Sequence, residues 1–197
     1  LFHHHYLNQI KMLLPRKDAL QLLRKYITNE RTIAHSLASE AVLRALARRL
    51  GHDVEQWGQA GLLHDLDSEI TQDEPERHGL ETSRILLELG LDAEVVDAIV
   101  MHNELAAGKP REIEFQHALA AGETITGLIT ATALVYPDKK VGSVKPKSVV
   151  KRMKEKAFAA SVNRETIMEC EKLGLGMDEF AALSIAAMAE IADELGL

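Results

Sequence analysis

The sequence predicts an all-α protein, and three observations carry that reading. All five prolines, Pro15, Pro75, Pro110, Pro137 and Pro146, fall where an apolar pattern with three- and four-residue spacing starts or stops. Alanine and leucine at that spacing dominate the chain. Aromatic residues are few, four Phe, three Tyr and one Trp, and alternating β-branched runs are scarce, which leaves little material for a sheet.

Each element follows from its punctuation. Pro15 opens a first helix that runs to about Ile27. A second extends from Arg31 to Leu50, with Ile33, Leu37, Val42 and Leu46 on one face, and Gly51 stops it. A third covers about Val54 to Leu66. Pro75 opens a fourth, with His78 in its first turn, and Gly90 closes it. Asp92 caps a fifth, which turns Val95, Val96, Ile99 and Val100 inward and ends near Asn103. Residues 104–111 read as a loop. A long helix follows from about Ile113 to Tyr136. Its Gly122 and Gly127 each cost about 1 kcal/mol of helix propensity, which implies that something approaches closely there. Two more helices cover about 163–173 and 178–195.

The 197 residues, 46% hydrophobic and 27% charged, suffice for one cored domain with an extension and argue against disorder. The net charge of −7 argues against a surface built for DNA. Between Asp138 and Lys156, however, eight cations face two anions. No apolar stretch is long enough to span a bilayer, and a cytoplasmic protein is expected. Residues 1–11, with His3, His4 and His5 in a row, read as a tag remnant or leader. Residues 12–136 read as the helical core, and 137–197 as a helical cap packed on it.

The single cysteine, Cys170, excludes an internal disulfide and a CxxC zinc site, so a metal here would be held by nitrogen and oxygen. His64-Asp65 ends an apolar helix in GLLHDLD, and Glu123 interrupts the apolar run HALAAGETITGLITATALV. Both acids are costly to bury without a partner. His35, His78 and His102 each have a bland explanation: a core histidine, a first-turn residue, and a cation at a helix C-terminus. One shared metal centre explains all of them together. His52 and His117 are not assigned to it, and Trp57, the methionines and Cys170 read as packing residues. Asp67, Glu69 and Glu104 are candidates for an auxiliary acid or base, though each also reads as a surface acid.

The ordered set His35, His64-Asp65, His78, His102 and an acid within an apolar helix resembles the HD-domain superfamily of metal-dependent phosphohydrolases. GLLHDLD (61–67), HGLETSRILLELGLDAEVVDAIVMH (78–102) and TGLITATALVYP (126–137) resemble segments of uncharacterised bacterial and archaeal HD-type hydrolases. The stretch 147–165 resembles them too. The resemblance implies an HD-domain-like helical bundle with a C-terminal helical extension. It implies His35, His64, Asp65 and Glu123 as ligands of one metal, with His78 and His102 as ligands of a second that Asp65 bridges. The family's fourth ligand is normally Asp; Glu123 reaches one methylene further. Asn103 stands where the HD-GYP branch has a further His, and no GYP motif follows. Small HD hydrolases that cut dinucleoside polyphosphates fit a two-metal set better.

The expected activity is hydrolysis of a small phosphorylated compound, with a nucleotide among the candidates, by metal-activated water; Asp65 and His64 are the expected catalytic centre. One or two divalent ions, Fe, Mn, Ni, Co or Zn rather than Mg, suit mixed imidazole and carboxylate ligands. Lys145, Lys147 and Lys151 are candidate contacts to the substrate phosphate, or else a solvated helix face. A monomer or homodimer is expected. The rival readings are an HD-fold metal- or nucleotide-binding regulatory module, its turnover lost through Glu123, and a purely structural helical protein.

Overall fold

The computed structural model describes residues 12–197, so the segment 1–11 and its three histidines lie outside the described residues. Among the described residues every regular element is helical. The helices are α1 (Arg16–Tyr26), α2 (Glu30–Leu50), α3 (Val54–Leu63), α4 (Leu80–Glu88), α5 (Ala93–Met101), α6 (Glu104–Ala107), α7 (Glu114–Leu134), α8 (Pro146–Lys154), α9 (Arg164–Ile167), α10 (Met177–Glu190) and α11 (Ala192–Leu195). Short 3₁₀ turns cover Pro75–Arg77, Val141–Ser143 and Met168–Leu173. No helix among these residues is long and apolar enough to cross a membrane.

The caps explain most of the boundaries. Asn29 accepts from the backbone N–H groups of Arg31 and Thr32 and starts α2. Gly51, at φ 78°, ends that helix in the left-handed region where glycine carries no penalty. Asp53 and Asp92 accept from Gln56 N–H and Glu94 N–H and start α3 and α5. At the head of α7 the Gln116 side chain accepts from the backbone N–H of Glu112 and Ile113.

Several boundaries differ from the sequence expectation, including 163–173, where only Arg164–Ile167 is α-helical, and 178–195, which breaks between Glu190 and Ala192. Helix α3 stops at Leu63, and residues 64–73 run on as turns. His78 is not in a helical first turn: it has extended backbone, ψ 124°, between the Pro75 turn and α4. Residues 104–107 of the expected loop form a helical turn capped by the Asn103 side chain. The long helix ends at Leu134 rather than Tyr136.

Helices α2 and α7 form the centre and pack on each other, and α3 crosses both. The α2–α3 crossing is backbone-close, because a Cβ at Gly61 would lie 2.6 Å from the Ser39 carbonyl oxygen. Gly122 of α7 lies against side chains of α2 instead, Leu43 nearest. The later helices join the same core: Val149, Ile167, Cys170, Phe180 and Met188 are buried within it, and α10 lies against α2. This framework brings the N-terminal third of α2, the middle of α7 and the C-terminal ends of α3 and α5 to one place.

Candidate metal centre

That place holds His35 from α2, His64 and Asp65 just past α3, His78, His102 just past α5, and Glu123 from α7. Asp65 sits between two groups. Its Oδ2 lies 3.2 Å from His64 Nε2 and 3.4 Å from His35 Nε2. Glu123 Oε2 completes that side, at 3.2 Å from His35 Nε2 and 3.6 Å from His64 Nε2. The other oxygen, Oδ1, lies 3.0 Å from His78 Nε2 and 3.6 Å from His102 Nε2. Two sets of ring nitrogens and carboxylate oxygens therefore share one carboxylate. The longer arm of Glu123 does not carry it out of the cluster.

Each imidazole is oriented by an acceptor behind it. The Nδ1 of His64 lies 2.7 Å from Gly61 O, and that of His102 bonds Ile99 O. Both acceptors belong to the last helical turn, whose carbonyls lack intrahelical partners. At Gly61 one bond thus satisfies an orphan carbonyl and fixes a ring, while Ile99 O accepts both the ring and the backbone N–H of His102. His78 Nδ1 lies 2.7 Å from Asp67 Oδ1. His35 Nδ1 lies 3.0 Å from Thr126 Oγ1, whose own proton goes to Glu123 O at 2.7 Å. With Nδ1 protonated towards these acceptors, all four Nε2 lone pairs face inward, the arrangement expected of metal-ligating histidines. Two helix C-termini also end here, and their dipoles favour a cation.

The electrostatics agree with that. His64 is fully buried, which disfavours its protonated form, but Asp65 and then Glu123 outweigh burial and hold its pKa well above the usual value. Burial likewise opposes a charged His78, yet Asp65 and Asp67 push it up to about 9. Asp65 and Glu123 are held well below the usual carboxylate range, because the surrounding histidines overcome the cost of burial. The cluster stabilises cationic charge among ionised carboxylates, which is also what a divalent ion requires.

A cavity of about 480 Å³ opens over the cluster. His35, His102 and Glu123 form its floor, and Arg111, Ser161 and Asn163 are among its walls. Arg111 is committed: it bonds both oxygens of Glu169, Glu104 and the carbonyl of Met101. The structure does not bring Lys145, Lys147 and Lys151 to this cavity; Lys151 lines a separate one, of about 290 Å³, beside Tyr136 and Ser148.

Of the auxiliary acids, Asp67 is fully buried and holds His78. Glu69 accepts from Thr28 and Asn29 N–H and closes the α1–α2 turn. Glu104 lies at the cavity rim, paired with Arg111. His52 stacks on Trp57, and His117 bonds Glu169, so neither joins the cluster. Sequence reasoning missed Thr126 and Glu169. Thr126 stands three residues after Glu123, a spacing that could have flagged it; Glu169 carries no such signal.

Comparison with known proteins points the same way. A family model for the HD domain matches residues 32–134, just over half of the chain. The ribonuclease Y proteins of Nitratidesulfovibrio vulgaris strains DP4 and ATCC 29579 are 26% identical over 99 residues. The match covers 50% of this chain and 18% of each relative, so the chain spans less than a fifth of their length. No solved structure matches the chain.

Proposed function

The chain belongs to the HD-domain family, a family of metal-dependent phosphohydrolases, and from that premise we propose that it hydrolyses a small phosphorylated compound, with nucleotides among the candidates. The observation that carries this reading is the sharing of Asp65, whose Oδ2 faces His35 and His64 and whose Oδ1 faces His78 and His102, with His64 within reach of both groups. In the proposed site His35, His64, Asp65 and Glu123 hold one divalent ion, and Asp65, His78 and His102 hold the other. The mixed imidazole and carboxylate donors suit Mn, Fe, Co, Ni or Zn. Bound there, the ions would neutralise phosphoryl charge and lower the pKa of a water.

The protein's own share is positioning. The acceptors behind the rings hold the four Nε2 atoms in place before any ligand arrives, and His64 and His78 release a proton as a metal binds. Two carboxylates beside two divalent ions leave a net positive centre, which complements a phosphate. A cavity of about 480 Å³ suits a small molecule. The ribonuclease Y relatives make RNA a substrate to be tested beside the small esters.

The test is metal analysis of the purified protein followed by hydrolysis of phosphate monoesters, nucleotides and a short RNA with Mn, Co or Ni. We expect bound metal that chelation removes, with a drop in thermal midpoint on removal. We also expect turnover that falls at least about a hundredfold in Asp65→Ala and His64→Ala. A protein that retains no stoichiometric metal under any supplement overturns the reading.

A further inference from the structure

A second cavity, of about 570 Å³, lies on the other side of His35 and differs in chemistry. Ala34 and Ala38 of α2 face Thr130 and Ala131 of α7 across it, and Leu195 and Leu197 also line it. Its lining is therefore mostly apolar, whereas polar side chains dominate the wall of the cavity over the metal cluster. His35 and Gly127 line both cavities. Gly127 is a costly residue in mid-helix, and among the described residues a Cβ there would meet just Val162, at 3.4 Å. Packing alone does not demand glycine at that position as it does at Gly61. Its bare backbone adds no side chain to the boundary between the two cavities, which it shares with His35. Exposed Arg31 stands at the rim of the apolar one.

We propose that the substrate is bipartite, a phosphate ester carrying an apolar planar group, and that the α2–α7 cavity holds that group while the phosphate lies at the metal cluster. The inference rests on the phosphohydrolase reading for the phosphate end. For the other end it rests on the apolar lining, the shared His35 and Gly127, and the size of the cavity, which suits an aromatic ring system. Arg31 at the rim is placed to stack on such a ring, as a guanidinium does on aromatic faces. Residues from both ends of the sequence after the HD-domain match complete the two walls, Ser161 and Asn163 on the polar side and Leu195 and Leu197 on the apolar side. Selection among phosphate esters is thereby assigned to the chain's last third.

The test compares 2-naphthyl phosphate with methyl phosphate on the metal-supplemented full chain, by equilibrium dialysis and by turnover. The expected result is binding of the naphthyl ester at least about tenfold tighter. Ala131→Leu, and Ala34→Leu on the facing helix, should each cut that preference at least about fivefold at unchanged metal content. A circular-dichroism melt shows which of the two variants is folded. Equal affinity for the two esters, or a preference that both folded variants retain, overturns the inference even if both esters are hydrolysed. A naphthyl preference that the variants abolish, without turnover of any ester, supports the cavity assignment and removes the hydrolase reading instead.

Discussion

The buried carboxylate of Asp67 accepts the Nδ1 proton of His78 across 2.7 Å. Its other oxygen accepts from the backbone N–H groups of Gly79, at 2.7 Å, and Thr82, at 3.0 Å. Three donors therefore converge on a group that only accepts. This arrangement starts α4 and aims His78 at Asp65 with the same side chain. Burial opposes ionisation of Asp67, but His78 and then the Thr82 and Gly79 N–H groups hold its pKa below the usual range.

Asp67→Asn is therefore not a conservative change. Whichever way the amide turns, its NH₂ group faces a donor. The expected cost is about 2 kcal/mol of stability and a roughly 10–100-fold weaker affinity for the ion beside His78. Binding beside His35 should survive. Metal titration with stoichiometry checks this, and two ions bound as in the unmodified protein would refute it.

Glu169 lies 58 residues from Arg111 in sequence yet pairs with it at the cavity wall, and His117 bonds the same carboxylate at 2.7 Å. Burial opposes its charge, but Arg111 and then His117 hold its pKa below the usual range. A depressed carboxylate pKa contributes stability above the unfolded value, about 4.3, and loses it as pH falls through the folded value. Glu169→Gln should thus cost about 2 kcal/mol at neutral pH. The gap to the unmodified protein should close in acid. Urea unfolding at neutral pH and near pH 3 measures both, and a gap that stays constant with pH would count against the ion pair.

Much of this architecture is legible in the sequence, and the parts that are not share a cause. Proline and glycine set most helix limits because their backbone constraints are local. His64-Asp65 and Glu123 stand out because an acid in an apolar helix demands a partner. Asp67 reads first as a surface acid, since its burial depends on α4 folding back over residues 64–73. His78 reads as helical because Pro75 usually starts a helix, but the Asp67 carboxylate captures Gly79 and Thr82 N–H and delays α4 until Leu80. The lysines of 145–151 suggest a phosphate contact by charge alone, and charge does not say which way α8 points.

Arg164 holds the outer wall of the metal cavity together. Its two terminal NH₂ groups share their four N–H among five backbone carbonyls, those of Arg152, Glu155, Phe158, Ala159 and Val162, while the buried Nε has no partner among the described residues. These gather the irregular segment that ends in Ser161, Val162 and Asn163 at the cavity. A lysine offers one ammonium with three donors and cannot span five acceptors. Arg164→Lys should lower stability by about 2 kcal/mol or more. Protease cleavage within 155–163 should accelerate relative to the rest of the chain. Cleavage that stays uniform would show that the segment is held by other means.

The sharpest link between packing and chemistry is at Gly61. The three atoms nearest to a Cβ there are backbone atoms of α2, Ser39 O, Ser39 C and Glu40 N, all within 2.9 Å. Backbone cannot rotate aside, so α3 must move away from α2. His64, which ends α3, moves with it, while His35 stays on α2; their Nε2 atoms now stand 3.2 Å apart. At Gly122 the nearest atom is the Leu43 Cδ2 methyl, also at 2.6 Å, but that is the end of a side chain that can change rotamer. The helix propensity gained by alanine offsets part of that cost. Gly61→Ala should therefore lose about 2 kcal/mol or more and bind the ion beside His35 at least about tenfold more weakly. Gly122→Ala should stay within about 1 kcal/mol and keep its metal. Thermal melts and metal titrations of the two variants, run side by side, decide it: equal losses in both would break the proposed coupling between helix spacing and ligand geometry.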